Sequence, residues 1–267
     1  MGKNILPVIK RTRGYLLYDI KGKRYLDFYQ DGGRAILGHR MDGISGVVKS
    51  TVARGLTPAY PSIYTYRIEK QLKLLFPFVS EFRIYGNMER ALAAVSKNEG
   101  KLIKQNNLVD FPVKSEEYAY WRPFLGNDLN WQEFKYFIPI LPFPGNFGPI
   151  VVASNTITTN LSLSDPLSPL LCDMLIKSIS LIRAVKKRDC KDRSGFESPV
   201  WERIGPYLRF KLSATDYSIL YKKALDCLVL LPPTPLIPGI IPCNYENGQI
   251  KGFMDMLRLV ERGLYGS

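Results

Sequence analysis

The chain has 267 residues, 46% of them hydrophobic, and carries a formal net charge of +13 at pH 7. This length and apolar content allow one large domain or two small ones with a sizeable core. No window of about twenty residues is apolar without a charge or a proline, which argues against a membrane-spanning helix. The single histidine excludes a multi-histidine metal site.

The four cysteines are scattered along the chain and form no CxxC pair. They predict neither a metal site nor a disulfide framework, and they fit a reducing cytoplasm. The N-terminal residues contain no apolar segment of signal-peptide length. We therefore expect a cytoplasmic protein that binds no metal and has no membrane partner. The cysteines are Cys172, Cys190, Cys227 and Cys243.

Two short runs rich in aromatic and branched residues, 15–20 and 24–28, predict a β-hairpin near the start of the chain. Gly22, between them, can adopt the positive φ that such a turn needs. The cluster Asp31-Gly32-Gly33 then predicts a further turn.

Besides the hairpin, residues 1–77 are predicted to contain two helices, the second of which Pro77 ends, and a further short helix is predicted over 89–95 after the turn at 86–87. Residues 96–133 have poor periodicity, and we expect loops with short strands there. The second of these helices has one apolar face, formed by Ile68, Leu72 and Leu75.

Two later segments, 136–140 and 149–153, are strand-like. Proline cannot donate a ladder hydrogen bond, so Pro139 would place the first of them at a sheet edge. Residues 156–168 are polar and are expected to form a linker.

The C-terminal part is predicted to contain a helix over 169–185, strands near 207–212 and 228–231, and a terminal helix over 249–262. The basic cluster 186–188 follows the first of these helices, and a solvated helix end is the favoured interpretation over a phosphate-binding patch. The terminal helix carries an apolar stripe that is expected to be core rather than a cofactor contact. The stripe consists of Ile250, Phe253, Met254, Leu257 and Val260.

The hairpin and the residues after it have the pattern D-x-x-G-x-x-Y-L-D-F, followed by D-G-G and I-L-G-H. This pattern resembles the N-terminal signature of class III pyridoxal-phosphate-dependent aminotransferases, and most nearly that of glutamate-1-semialdehyde aminomutases. The resemblance continues more weakly through a helix at about 43–53 and over 82–91, and residues 228–242 with the terminal helix resemble the C-terminal domain of that family. It rests on Asp19, Gly22, Tyr25, Leu26, Asp27, Phe28, Gly38 and His39.

The resemblance implies an α/β (mixed α+β) fold, with a fold-type-I aminotransferase-like small domain and a strongly reduced large domain. It implies an N-terminal aminotransferase-like segment over 1–77, a remnant of the large cofactor domain over 78–165, and a C-terminal small domain over 166–267. It also implies a dimer, formed with a second copy or with a full-length relative, and it makes pyridoxal phosphate a possible cofactor.

A transaminase needs a Schiff-base lysine, a carboxylate facing the pyridine nitrogen, a phosphate-binding turn at a helix start, and an aromatic against the ring. Only the phosphate turn has a counterpart. Gly86 and Asn87 are the candidate cofactor-binding residues, and a plain helix N-cap at Asn87 is the alternative. Lys135 is the single lysine between Lys114 and Lys177, and it lacks the strand-then-glycine setting of a Schiff-base lysine. We therefore assign no catalytic residue and expect no cofactor.

By resemblance, Asp31, Arg34 and His39 are candidates for the substrate side of the family's pocket, but a surface turn for Asp31 and Arg34 and a structural role for His39 are the favoured interpretations. The favoured hypothesis is a degenerate, non-catalytic aminotransferase-like protein, a pseudoenzyme that acts by binding a partner subunit or a small ligand. One alternative is a reduced but active pyridoxal-phosphate enzyme whose site a partner protomer completes. A basic nucleic-acid-binding protein is the other alternative, but net charge alone supports it, so a nucleic-acid partner is not expected.

Overall fold

The computed structural model describes residues 6–112, 116–125, 129–143, 148–156, 161–185 and 195–265. The chain forms two compact units, Met1–Arg40 with Arg188–Ser267, and Met41–Lys187. The assignment of 1–77, 78–165 and 166–267 to domains of an aminotransferase stays a prediction.

The secondary structure alternates between short strands and longer helices. The strands are β1 (Ile9–Arg13), β2 (Leu16–Asp19), β3 (Arg24–Asp27), β4 (Glu81–Tyr85), β5 (Tyr118–Trp121), β6 (Tyr136–Pro139), β7 (Ile150–Ser154), β8 (Trp201–Ile204), β9 (Tyr207–Phe210), β10 (Val229–Leu230) and β11 (Gly239–Ile240). The helices are α1 (Ile44–Ala53), α2 (Ile63–Leu75), α3 (Met88–Glu99), α4 (Pro169–Val185), α5 (Ala214–Asp226) and α6 (Asn247–Tyr265).

The first unit contains a sheet of order β1-β2-β3-β10. The predicted hairpin is confirmed, because β2 and β3 pair antiparallel, with Leu17 opposite Tyr25. Gly22 has a φ of +82° in its turn. β10 then pairs parallel to β3, which brings a strand from late in the chain against the N-terminal hairpin.

The same unit contains a second sheet of order β11-β9-β8, and its core includes the apolar face of α6. The terminal helix and its core stripe are confirmed. Four of the five stripe residues are buried, and Met254 packs against the core while partly exposed. The buried four are Ile250, Phe253, Leu257 and Val260.

The second unit is built on a sheet of order β4-β7-β6-β5. β5 is parallel to β6, and β7 is antiparallel to both β6 and β4, so β4, β5 and β6 run in one direction. The prediction that Pro139 confines its strand to an edge is wrong, because β6 lies between β5 and β7. Within β6, only Tyr136 and Phe137 pair with β7. On the β5 side, Ile140 N–H donates to Trp121 O at 2.8 Å. The missing N–H of Pro139 therefore falls where the ladder with β7 has already ended.

Helices α1, α2 and α4 pack together within the second unit. All the helices predicted from periodicity are present, and α2 ends at Leu75, two residues before Pro77. The predicted apolar face of α2 is buried, together with Tyr64. Within the described part of the chain, no helix has both the length and the apolar character needed to cross a bilayer.

Candidate functional site

The candidate phosphate turn lies between β4 and α3, at the position the sequence predicted. Asn87 is the N-cap of α3, and its side chain accepts a hydrogen bond from Arg90 N–H at 2.9 Å. This is the geometry of an ordinary helix N-cap, which was the alternative interpretation of Asn87. The role of Gly86 and Asn87 in cofactor binding stays a prediction.

The carboxylate of Asp165 occupies the anion-binding position at this turn. Gly86 N–H donates to Asp165 Oδ2 at 2.8 Å, and Arg90 Nε donates to the same oxygen at 2.7 Å. The second guanidinium nitrogen of Arg90 donates to Asp165 Oδ1, so the ion pair is bidentate. The hydrogen bond from Arg90 is the main cause that holds the pKa of Asp165 below its usual value, and the backbone N–H of Gly86 adds to it.

Asp165 is held in place by the segment that carries it. Asp165 N–H donates to Ile84 O at 2.8 Å, and Ile84 N–H donates to Ser164 Oγ at 3.0 Å. Tyr85 OH donates to Ser162 O at 2.7 Å. The segment from 162 to 165, predicted to be a linker, therefore lies along β4 and fixes the carboxylate at the end of that strand.

The carboxyl ends of β5 and β6 lie at the same end of the sheet as this turn, because β4, β5 and β6 run in one direction. Ligands of open α/β sheets bind at the carboxyl ends of the strands. After β5, Arg122 donates from Nε and from a terminal nitrogen to the two carboxylate oxygens of Asp110, at 2.7 and 2.6 Å. After β6, the ring of Phe143 lies against Gly148, where a Cβ would be 2.1 Å from Phe143 Cδ1. Among the described residues, the chain's own side chains therefore lie at the positions that follow β4, β5 and β6.

Lys135 lies at the opposite edge of this sheet, immediately before the first residue of β6. Its Nζ is 2.6 Å from Glu99 Oε2, and the hydroxyls of Tyr118 and Tyr136 each donate to the same carboxylate at 3.1 Å. Burial raises the pKa of Glu99, but the hydrogen bonds from Lys135 and from the two tyrosines outweigh it, and the net direction is downward. Lys135 therefore has a structural partner and lies away from the candidate phosphate turn.

The three substrate-side candidates belong to the first unit. Asp31 and Arg34 lie in and just after a short 3₁₀ turn, and both are partly buried. His39 donates from Nε2 to Asp27 Oδ2 at 2.6 Å. Because Asp27 is buried, this contact ties the end of the segment back to β3 and supports the structural role for His39. Their role in substrate binding stays a prediction.

Similar proteins were found both by sequence and by structure, although no protein-family model matches the chain. An uncharacterized protein of Borreliella burgdorferi is 28% identical over 256 residues, which are 93% of this chain and 89% of that protein. An uncharacterized protein of Treponema pallidum is 25% identical and covers 92% of each chain. Glutamate-1-semialdehyde 2,1-aminomutase of Thermus thermophilus is 33% identical over 95 residues, which are 35% of this chain and 22% of the enzyme.

Solved structures match over nearly the whole chain. Ornithine δ-aminotransferase of Plasmodium falciparum superposes with a TM-score of 0.66 at 13% identity, covering 98% of this chain and 95% of that one. A glutamate-1-semialdehyde aminomutase of Pseudomonas aeruginosa gives 0.66 at 11% identity, covering 96% and 88%. The chain has an aminotransferase-like fold. The mixed α/β fold that the sequence resemblance implied is therefore confirmed.

Sequence reasoning did not find Asp165, the residue whose carboxylate binds at the candidate phosphate turn. Asp165 is remote in sequence from Gly86 and Arg90, in a polar segment without periodicity. The sequence did signal the turn itself, through the residues that precede the helix.

The sequence predicted no disulfide framework, but one of the described cysteines is disulfide-bonded. Cys243 is disulfide-bonded, Cys172 and Cys227 are free, and Cys190 lies outside the described residues. Disulfides persist mainly in oxidising compartments, so the disulfide of Cys243 does not support a cytoplasmic location. That location stays a prediction. Among the described residues, no group of three or more His, Cys, Asp or Glu side chains is arranged to hold a metal ion.

Proposed function

We propose that this protein is a non-catalytic protein with an aminotransferase-like fold, which acts by binding a partner subunit or a small ligand instead of transferring amino groups. The occupancy of the phosphate turn by Asp165 carries the proposal. The donors that would hold a cofactor phosphate, Gly86 N–H and the adjacent cation of Arg90, are already bound to a carboxylate of the same chain.

The residues at this turn do not fit pyridoxal phosphate. A phosphate brought to Gly86 would meet the Asp165 carboxylate, which is largely buried and held ionised by Arg90. Two negative groups competing for the same N–H and guanidinium donors repel each other, and the intramolecular carboxylate has no association entropy to overcome. The internal ion pair therefore disfavours a phosphate at this position.

The positions of the lysines also support the proposal. No lysine occurs between Lys135 and Lys177 in the sequence, so β6, β7 and the connection between them contain none. Lys135 itself is bound to Glu99 at the far edge of the sheet. These strands and their connection therefore supply no amine for a Schiff base at their carboxyl ends.

The proposal is tested by adding pyridoxal phosphate to the purified protein, recording the absorption band of an imine, and reducing with borohydride before peptide mass spectrometry. We expect no imine band and no stoichiometric adduct on any one lysine. The Asp165→Ala variant leaves Gly86 N–H and Arg90 without their carboxylate partner. It separates phosphate binding from Schiff-base formation, because we expect it to gain affinity for the phosphate and still to form no imine. Wild-type labelling at a single lysine would overturn the proposal and favour the reduced but active enzyme.

The partner that we propose is a second copy of this chain or a full-length relative. Four large apolar side chains between α1 and the start of α2 are exposed by about half or more, and such clustering indicates a contact surface. They are Val52 (48%), Tyr60 (67%), Ile63 (61%) and Tyr66 (68%).

A further inference from the structure

Two clefts meet at the turn of the N-terminal hairpin, and both are lined by cations. The first, of about 550 Å³, runs from the hairpin to the start of α6 and is lined by Lys23 and Arg24. The second, of about 710 Å³, lies beside β1 and is lined by Lys10, Arg11 and Lys21. Gly22 and Arg24 line both clefts, so the clefts adjoin at these residues, and together we call them the basic groove.

The cations of the basic groove lack acidic partners. Residues 6–26 contain six basic side chains and one acidic side chain, Asp19. Asp19 is buried and accepts from the backbone N–H groups of Lys21 and Lys23, each at 2.8 Å, so its carboxylate is directed into the turn. Glu246 is the acidic residue that lines the first cleft. None of the five cations that line the two clefts forms an ion pair within the described part of the chain; they are Lys10, Arg11, Lys21, Lys23 and Arg24.

An aromatic side chain lies between two of these cations. The strand register places Arg11 opposite Tyr18 and Tyr18 opposite Arg24, so the three form a row across β1, β2 and β3. Side chains at paired positions project from the same face of a sheet. The guanidinium of Arg11 is 4.2 Å from the centroid of the Tyr18 ring.

Protection of the sheet edge explains only part of this charge. Lysine and arginine on an edge strand discourage pairing with other chains, and β1 is an edge strand. Arg24, however, belongs to β3, where it pairs with Tyr18 of β2, and Lys21 and Lys23 flank the hairpin turn. These three cations do not lie on the edge strand β1.

We propose that the basic groove binds single-stranded nucleic acid. Unpaired arginines and lysines along a groove bind successive phosphates, and an aromatic among them offers a surface on which a base stacks. The groove continues through two clefts, which suits a chain of phosphates better than a single anion. Because its cations line concave surfaces, it suits an extended strand better than a flat bilayer. This inference is independent of the aminotransferase-like fold and of any cofactor.

The test measures binding of a fluorescein-labelled oligouridylate and an oligothymidylate by anisotropy, across a salt series, with the full-length protein. The double variant Arg11→Gln with Arg24→Gln should bind roughly tenfold more weakly at low salt. The slope of log affinity against log salt should fall by about 1.4, since two phosphate contacts are lost. Tyr18→Leu should weaken binding by about tenfold through lost stacking while leaving the salt slope unchanged.

The matched control is Lys211→Gln with Lys222→Gln, which removes the same charge from exposed positions that line neither cleft. It should retain wild-type affinity. The proposal is overturned by an absence of binding at low salt, or by an equal loss in the control. Binding to phosphatidylserine vesicles with the same sensitivity to Arg11 and Arg24, and none to the oligonucleotides, would also overturn it. Thermal melting of each variant separates a folding defect from a lost contact, and it is needed most for Tyr18, which is partly buried.

Discussion

Asp27 makes the contacts that hold the segment after β3. Its Oδ1 accepts from Tyr29 N–H at 2.8 Å and from Gln30 N–H at 3.0 Å, and its Oδ2 accepts from His39. Gln30 and Asp31 have φ values of +46° and +49°, a conformation that costs a residue other than glycine about 1 to 3 kcal/mol. The buried carboxylate of Asp27 therefore stabilises a strained turn. The second Asp of the pattern D-x-x-G-x-x-Y-L-D-F thus has a structural role.

Replacing Asp27 with Asn should destabilise the protein by about 2 kcal/mol, because the amide cannot accept from the two backbone N–H groups and from His39 with full charge. The measurement is urea denaturation followed by circular dichroism. Asp42→Asn is the matched control, since Asp42 is exposed, and it should change stability by less than about 0.5 kcal/mol. Equal stabilities of the two variants would show that the Asp27 contacts do not hold the turn.

At the scale of elements, the sequence predicted what depends on local pattern. The hairpin, α2, α4 and α6 follow from periodicity and turn residues, and the structure has each of them. Tertiary contacts decided the rest. Pro139 lies in an inner strand because the neighbouring ladder is short, and Asp165 reaches the start of α3 from a segment with no periodicity. The charge of the basic groove was missed for the same reason, since the hairpin brings together cations that are separated in sequence.

The packing of Phe143 on Gly148 can be tested by adding one methyl group. Gly148→Ala would place a Cβ 2.1 Å from an aromatic carbon, so the ring or the strand end must shift. We expect a loss of about 1 to 3 kcal/mol, measured by chemical denaturation.

Gly46→Ala is the control for the substitution itself. Gly46 lies within α1 and a Cβ there would meet nothing within 4 Å, so alanine should stabilise the protein by about 0.5 to 1 kcal/mol. If Gly148→Ala left the stability unchanged, the ring of Phe143 would not be packed tightly against residue 148.

For the whole molecule, the resemblance at the two ends of the sequence predicted the fold correctly because both ends belong to one compact unit. β10 pairs with β3, and the apolar face of α6 shares a core with the hairpin residues Leu17 and Tyr25. The net charge did not predict where a basic surface lies, because its value is the same whether the cations are dispersed or clustered. Only the pairing of the strands shows that cations of the hairpin lie side by side.

The exposed apolar side chains of the second unit predict self-association. Isolated exposed apolar residues are normal, but Ile63 and Tyr66 occupy adjacent positions on the outward face of α2, with Tyr60 just before them. We expect sedimentation equilibrium to give a dimer. Ile63→Glu with Tyr66→Glu should shift it to monomer, because charges buried at an interface without partners are costly.

Leu236→Glu is the control for this charge, because Leu236 is 91% exposed and belongs to the other unit. It should leave the dimer intact. A wild-type monomer at high protein concentration would contradict self-association. In that case the exposed surface would need a different partner, and a full-length relative would be the next candidate to mix with the purified chain.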